Sequence, residues 1–225
     1  MTGILGSVKC RAEADLLVSL GVDILDLKDP TRGALGALAP DLIAEIVAAH
    51  PNACISATLG DLPMQADLIE ASARATLQLG VHHVKIGFFP GGDWRDILSR
   101  LEASVAGSVS LIAVLLADQA APDLDWVPRF AASGFSGIML DTADKVRGSL
   151  TDLVSRAFLA EFIQIARDSG LMTGLAGSLQ AADIPLLLPL KPSYLGFRGA
   201  LCKHGRGSSI SAAQVAAVIR SVRAG

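Results

Sequence analysis

Four stretches of the chain share one pattern of apolar and polar positions: LVSLGVDILDLKD, TLQLGVHHVKIG, FAASGFSGIMLDT and ARDSGLMTGLAGS. In each, an amphipathic run with helical spacing ends at a glycine (Gly21, Gly80, Gly134 or Gly170), and a short apolar run follows. Glycine just past a helix end supplies the left-handed turn that closes the helix, and the chain then enters a strand. Gly21 to Gly80 is 59 residues and Gly80 to Gly134 is 54. Each interval therefore holds two βα units of roughly 27–30 residues.

Filling the gaps predicts eight strands, near residues 3–8, 22–28, 53–58, 82–87, 109–116, 137–141, 172–177 and 194–199. Helices are predicted near 11–20, 39–49, 67–79, 93–106, 123–133, 152–168, 180–188 and 211–223. Eight such units in 225 residues predict an α/β fold, a compact single-domain (β/α)8 TIM barrel over residues 1–225. A doubly wound open sheet is the alternative, but no GxGxxG follows the first strand. No linker or low-complexity tract divides the chain.

Composition narrows the class. Hydrophobic residues make up 51% of the chain and charged ones 18%, which fits a large buried core with little disorder. The net charge is −3 and no basic run interrupts the chain, so nucleic acid is not an expected partner. The longest uncharged run, from Ala103 to Ala117, is too short and too rich in Ser and Gly to span a bilayer. The N-terminal MTGILGSVKCRAEADLL reaches charge too soon for a secretory signal core. Cys10, Cys54 and Cys202 are scattered, with no CxxC pair, and read as reduced thiols. A soluble, cytoplasmic protein is expected, and its Ala-rich helices leave a homo-oligomer open.

In a barrel, chemistry gathers where strands end and βα loops begin, and period-two alternation assigns the faces. On the second strand Ile24, Asp26 and Lys28 share the inward face, with Lys28 topmost and Asp26 and Asp29 as its charge-balancing neighbours. In HHVKIG, His83, Lys85 and Gly87 face inward; in CISATLGD, Ser56 and Thr58 do so. In GIMLDTADK, Met139 and Asp141 share a face, and Lys145 follows on the loop. The chain has only six lysines, and Lys28, Lys85 and Lys145 are expected to point into one mouth.

One such lysine alone is more often a salt-bridged or phosphate-holding residue; three together favour catalysis. An ordinary lysine amine, of pKa ~10.4, is uncharged in about one molecule in 2,500 at pH 7. Bringing it to the ~7–8 of a catalytic lysine takes about 4 kcal/mol. Like charges in one desolvated pocket act in that direction, and the amine can then form a Schiff base. Carboxylates such as Asp26 and Asp141 can orient an amine or relay protons.

The seventh and eighth strands end in GLAGSLQ and GFRGALCKHGRGSS. Loops at these places in a barrel often bind phosphate through backbone N–H groups. Gly177 and Ser178, with Gly199 and Ala200, are small enough to admit an anion, and Arg198 offers a charge. Lys203, His204 and Arg206 follow closely. The alternative is that the glycines only make tight turns; the coincidence of both loops favours phosphate. His82, His83 and His204 make no metal-binding pattern, so no metal is expected and core or interface packing is the better reading. Trp94 and Trp126 sit on helical patterns and read as packing residues. Asp61 and Pro63, just past the third strand, either line the mouth or make a turn.

The segments DLKDPTRGALGA, SATLGDLP, HHVKIG, IMLDTADK, LAGSL and FRGALCK, in that order, resemble the (5-formylfuran-3-yl)methyl phosphate synthase family. The resemblance runs from about Ser7 to Lys203. It implies a (β/α)8 fold and a lyase that joins two glyceraldehyde 3-phosphates into a phosphorylated furan aldehyde. One phosphate and two waters are lost, no metal or organic cofactor takes part, and the product enters methanofuran-type cofactor biosynthesis. The resemblance also implies a Schiff-base lysine at Lys28 and a proton-moving lysine at Lys85. The LDTA-x-K segment places the family's aspartate and second loop lysine at Asp141 and Lys145. One departure is the segment HGRGSSIS, shorter than the family's loop, which leaves the phosphate contacts of His204 and Arg206 open. Two rivals remain: another Schiff-base aldolase acting on a sugar phosphate, and a non-catalytic barrel that binds a phosphorylated metabolite.

Overall fold

The computed structural model describes residues 1–105, 110–118, 121–144 and 146–224. Among these, eight parallel strands close into a barrel, each beside its sequence neighbour and the last beside the first. They are β1 (Gly3–Val8), β2 (Ile24–Leu27), β3 (Cys54–Thr58), β4 (His83–Phe88), β5 (Ser110–Leu116), β6 (Gly137–Asp141), β7 (Met172–Leu175) and β8 (Tyr194–Phe197). The helices around them are α1 (Arg11–Leu20), α2 (Pro40–Ala49), α3 (Ala66–Leu77), α4 (Trp94–Ser104), α5 (Val127–Ala132), α6 (Leu150–Leu153), α7 (Arg156–Asp168), α8 (Ile184–Leu187) and α9 (Ala212–Arg223). The glycines of the repeating pattern do what their positions predict. Gly21, Gly80, Gly134 and Gly170 hold φ of +76°, +83°, +82° and +76°, a region that costs glycine nothing and other residues strain.

Three predicted helices come out shorter or divided, each for a local reason. The 152–168 run splits because Val154 is extended and the Ser155 hydroxyl caps a fresh helix by accepting from the Phe158 N–H. The 180–188 run becomes two 3₁₀ turns around the single-turn α8, with Pro185 and Pro189 each removing an N–H donor. The 123–133 run opens with a 3₁₀ turn before Pro128. Strands β2, β7 and β8 also stop earlier than their apolar runs, which leaves Lys28, Gly177 and Arg198 just beyond strand ends.

The apolar core has two parts. Leu25, Leu27, Val84 and Ile86 point outward and pack between the sheet and the helices. Trp94 and Trp126 join that outer layer, in an edge-on pair whose rings lie 5.1 Å apart. Inside the barrel, Ile112, Val114 and Leu116 of β5 pack with Leu5, Met139 and Tyr194. The rest of the interior departs from the branched apolar filling usual in such barrels. Ser7, Asp26, Ser56, Thr58, Lys85 and Asp141 are all buried there. A buried polar group without a partner is costly, so the question is what each one meets.

Candidate active site

Lys85 projects from the middle of β4 and places its Nζ 2.9 Å from Asp26 Oδ1 on β2. Asp26 is also met by two hydroxyls: Ser56 Oγ donates to Oδ1 at 2.7 Å and Ser7 Oγ to Oδ2 at 2.9 Å. Burial pushes the Asp26 carboxyl up, but the charges of Lys85 and then Lys28, with the hydrogen bonds from Lys85 and Ser56, outweigh it. The net effect holds Asp26 below the ordinary carboxylate range.

Lys28 stands just past β2, and its Nζ lies 3.2 Å from Asp141 Oδ2 at the end of β6. The Thr142 N–H donates to the other Asp141 oxygen at 2.7 Å. All four charged groups thus come from β2, β4 and β6, as expected where alternate strands share a layer of the interior. The neighbour expectation for Lys28 is corrected here. Its hydrogen-bond partner is Asp141, while Asp26 is taken by Lys85. Asp29 turns to its own loop, accepting from the Thr31 N–H and hydroxyl at 2.9 and 2.7 Å. Residues two apart on a strand share a face but lie roughly 7 Å apart, and adjacent residues point to opposite faces.

A cavity of about 560 Å³ opens above these pairs, and Lys28, Lys85, Asp26 and Asp141 line its floor. That volume lies within the ~300–1,000 Å³ usual for small-molecule sites. Gly177, Ser178, Gly199 and Ala200 line the same cavity, so the two small-residue loops and the lysines share one space. Gly177 sits at φ +107°, and a Cβ there would lie 2.8 Å from the Thr142 side chain. Ser178 follows at φ +50°. Lys145 lies outside the described residues.

Arg198 also lines the cavity, but its guanidinium is engaged elsewhere. It grips Glu13 through two N–H groups at 2.6 and 3.1 Å. Its other three donors reach the carbonyls of Ser7, Arg206 and Ser208 at 3.1, 2.9 and 3.0 Å. The charge that the sequence offers to a phosphate is thereby bound to a buried acid of α1. Asp61 takes neither a bare turn nor a bare lining role. Its carboxylate accepts from the Ala34 and Leu35 N–H groups, both at 2.7 Å, and so latches the loop after β2. That loop seats Leu35 inside the barrel against Gly87, where a Cβ would lie 2.5 Å from Leu35 Cδ1. Asp118 does the same for the loop after β6, accepting from Ala143 and Asp144 at 2.7 and 2.6 Å.

Sequence reasoning missed Ser7, Glu13 and Asp118. Ser7 had a readable signal, being a polar residue on the inward alternation of β1 with Gly3 and Leu5. Glu13 had none, because its partner lies 185 positions away. His83 sits at the far, N-terminal end of the barrel, its Nε2 3.3 Å from Cys54 Sγ. Burial, before the charges of His82 and Lys85, pushes the pKa of its imidazole down. Among the described residues, no helix is long and apolar enough to cross a membrane.

Solved structures resemble this fold at low sequence identity. The 3-hexulose-6-phosphate synthase from Salmonella typhimurium superposes with a TM-score of 0.73 at 13% identity, covering 99% of each chain. The phosphoribosyl anthranilate isomerase from Thermotoga maritima gives 0.71 at 12%, covering 100% of each. Both are evidence of the barrel alone. Sequence relatives go further. A Methylorubrum extorquens protein, provisionally named (5-formylfuran-3-yl)methyl phosphate synthase, is 41% identical over 224 residues, 99% of this chain and 92% of its own. The (5-formylfuran-3-yl)methyl phosphate synthase of Methanococcus aeolicus is 33% identical over 213 residues, covering 90% of this chain and 91% of its own. The family model described as 4-HFC-P synthase matches residues 4–219, a span that takes in both lysine–aspartate pairs and, but for Gly3 of β1, all eight strands, and the chain belongs to that family of enzymes.

Proposed function

We propose that this enzyme condenses two glyceraldehyde 3-phosphates into (5-formylfuran-3-yl)methyl phosphate through a Schiff base on Lys28, for methanofuran-type cofactor biosynthesis. The observation that carries this reading is one cavity floored by two lysine–aspartate pairs and bordered by the small-residue loops after β7 and β8. Lys28 reaches the cavity with Asp141 at hydrogen-bond distance. As Nζ attacks the triose carbonyl, Asp141 takes the amine proton and returns it to the departing oxygen, which leaves as water.

The resulting imine acidifies the neighbouring carbon. Lys85, held by Asp26, moves that proton to form an enamine, which attacks the second aldehyde. Elimination of phosphate, ring closure and loss of two further waters follow, with Asp141 and Lys145 as further proton carriers. Hydrolysis of the imine, which takes back the water released at its formation, frees Lys28 and the product. The conversion is redox-neutral. Gly177, Ser178, Gly199 and Ala200 bring backbone close to the phosphate of a bound triose.

The test is intact mass after incubation with glyceraldehyde 3-phosphate and borohydride, with peptide mapping and assays for the furan chromophore and released phosphate. A reduced adduct on Lys28, with furan formed, is the expected result. Lys28→Ala should lose adduct and product while keeping its fold, read by circular dichroism. A wild-type adduct accompanied by a non-furan sugar phosphate would point to another aldolase. No adduct beside a working control would overturn the imine and favour a binding role.

A further inference from the structure

The proposed reaction brings two phosphates into a cavity whose floor, among the described residues, pairs each lysine with an aspartate, Lys28 with Asp141 and Lys85 with Asp26. The arginine that the sequence offers to a phosphate does not tip that balance. Arg198 is paired with Glu13, and all five of its N–H donors are engaged. Its role is to brace the loop after β8, through the carbonyls of Arg206 and Ser208.

That brace carries a second arginine over the mouth. Arg206 is half-buried and lines the cavity. Its Nη2 meets the Gly33 carbonyl at 3.3 Å, a long bond from the β8 loop to the loop after β2. Among the described residues this is the only hydrogen bond its guanidinium makes, and no carboxylate lies within ion-pair distance. Four of its five donors are therefore uncommitted. Burial pushes the guanidinium's pKa down, while Asp141 and Asp61 act on it in the opposite sense. A planar fork of donors, partly desolvated and without a paired anion, matches a phosphate in both charge and geometry.

Its place on the rim is also distinct. Gly177 and Ser178 follow β7, whereas Arg206 spans from β8 past β1 to the β2 loop. Two anions would have separate seats. We propose that Arg206 binds the phosphate of one of the two triose phosphates, exchanging the Gly33 carbonyl for phosphate oxygens when substrate enters. The inference rests on the two-triose reading above, and its test is built to stand apart from that chemistry.

The probe is glycerol 3-phosphate, which lacks a carbonyl and cannot form an imine, titrated calorimetrically into the whole protein. Wild type should take two equivalents and Arg206→Gln one, with the remaining affinity within about twofold of the wild-type value. In turnover, Arg206→Gln should raise KM for glyceraldehyde 3-phosphate at least tenfold and change kcat less. Arg206→Lys, which keeps the charge and loses the fork, should hold the second equivalent three- to tenfold more weakly; it serves as the test if the glutamine variant melts early. Unchanged stoichiometry and affinity in these variants, or fewer than two equivalents on wild type, would overturn the assignment. Absence of furan product with two-to-one stoichiometry intact would remove the reaction and keep the phosphate seat.

Discussion

The two lysine–aspartate pairs use the same functional groups in the same barrel, yet they are enclosed to different degrees. Lys85 and Asp26 have side chains 2% and 1% exposed and a 2.9 Å contact, and two serine hydroxyls add to the carboxylate. Lys28 and Asp141 are 9% and 4% exposed, with a longer 3.2 Å contact. An enclosed pair exchanges its partner only by leaving a charge uncompensated in a low-dielectric interior. A less enclosed pair can trade that partner for an incoming carbonyl. Under the proposed chemistry, Lys28 is therefore the nucleophile, and Lys85 moves protons without giving up Asp26.

The largest effect should come from breaking the enclosed pair. Lys85→Ala leaves Asp26 buried without its cation and should cost about 3–5 kcal/mol of stability, read as a lowered urea midpoint, along with loss of product. The combined Lys85→Met, Asp26→Leu variant sharpens the point. It should regain most of that stability, because no charge is left stranded, and stay inactive. If stability does not return, the pair is more than mutual compensation.

A smaller effect should follow from thinning the shell around Asp26. Ser56→Ala removes a 2.7 Å bond and should cost about 1–3 kcal/mol at neutral pH. The sign with pH follows from the lowered native pKa of Asp26. Its stabilising contribution is complete above its unfolded pKa, near ~3.9, and fades as pH falls through the lower native one. Ser56→Ala raises the native value toward the unfolded one, so acid unfolding should begin at higher pH than in wild type. A circular-dichroism titration on both proteins checks the direction.

The smallest effect should be local. Asp61 holds the loop that seats Leu35 over Gly87, the next inward residue above Lys85. Asp61→Ala should make the Ala34 and Leu35 amides exchange about five- to tenfold faster and leave the global melting temperature nearly unchanged. Unaltered exchange would mean that packing of Leu35 alone keeps the enclosed pair covered.

Much of this architecture was legible in the chain. The glycine-punctuated pattern located eight strands, and alternation put Asp26, Lys28, Ser56, Thr58, Lys85 and Asp141 on the inward face, where they lie. Such signals are local, because strand period and helix closure depend on a few successive residues. The short helices were less legible, since Pro128, Pro185 and Pro189 act through donors they lack rather than through hydrophobic spacing.

Partner choice was not legible at all. Lys28 meets an aspartate 113 positions away and Lys85 one 59 away, not the acids beside Lys28. Arg198 read as a free charge until closure of β1 against β8 brought Glu13 of α1 to it. Arg206, in a glycine-rich tail of the same loop, ended as the arginine over the cavity with donors uncommitted. Alternation fixes which way a side chain points, and that is written residue by residue. Which charge it meets depends on how eight strands close and tilt against one another, and only the assembled barrel settles those distances.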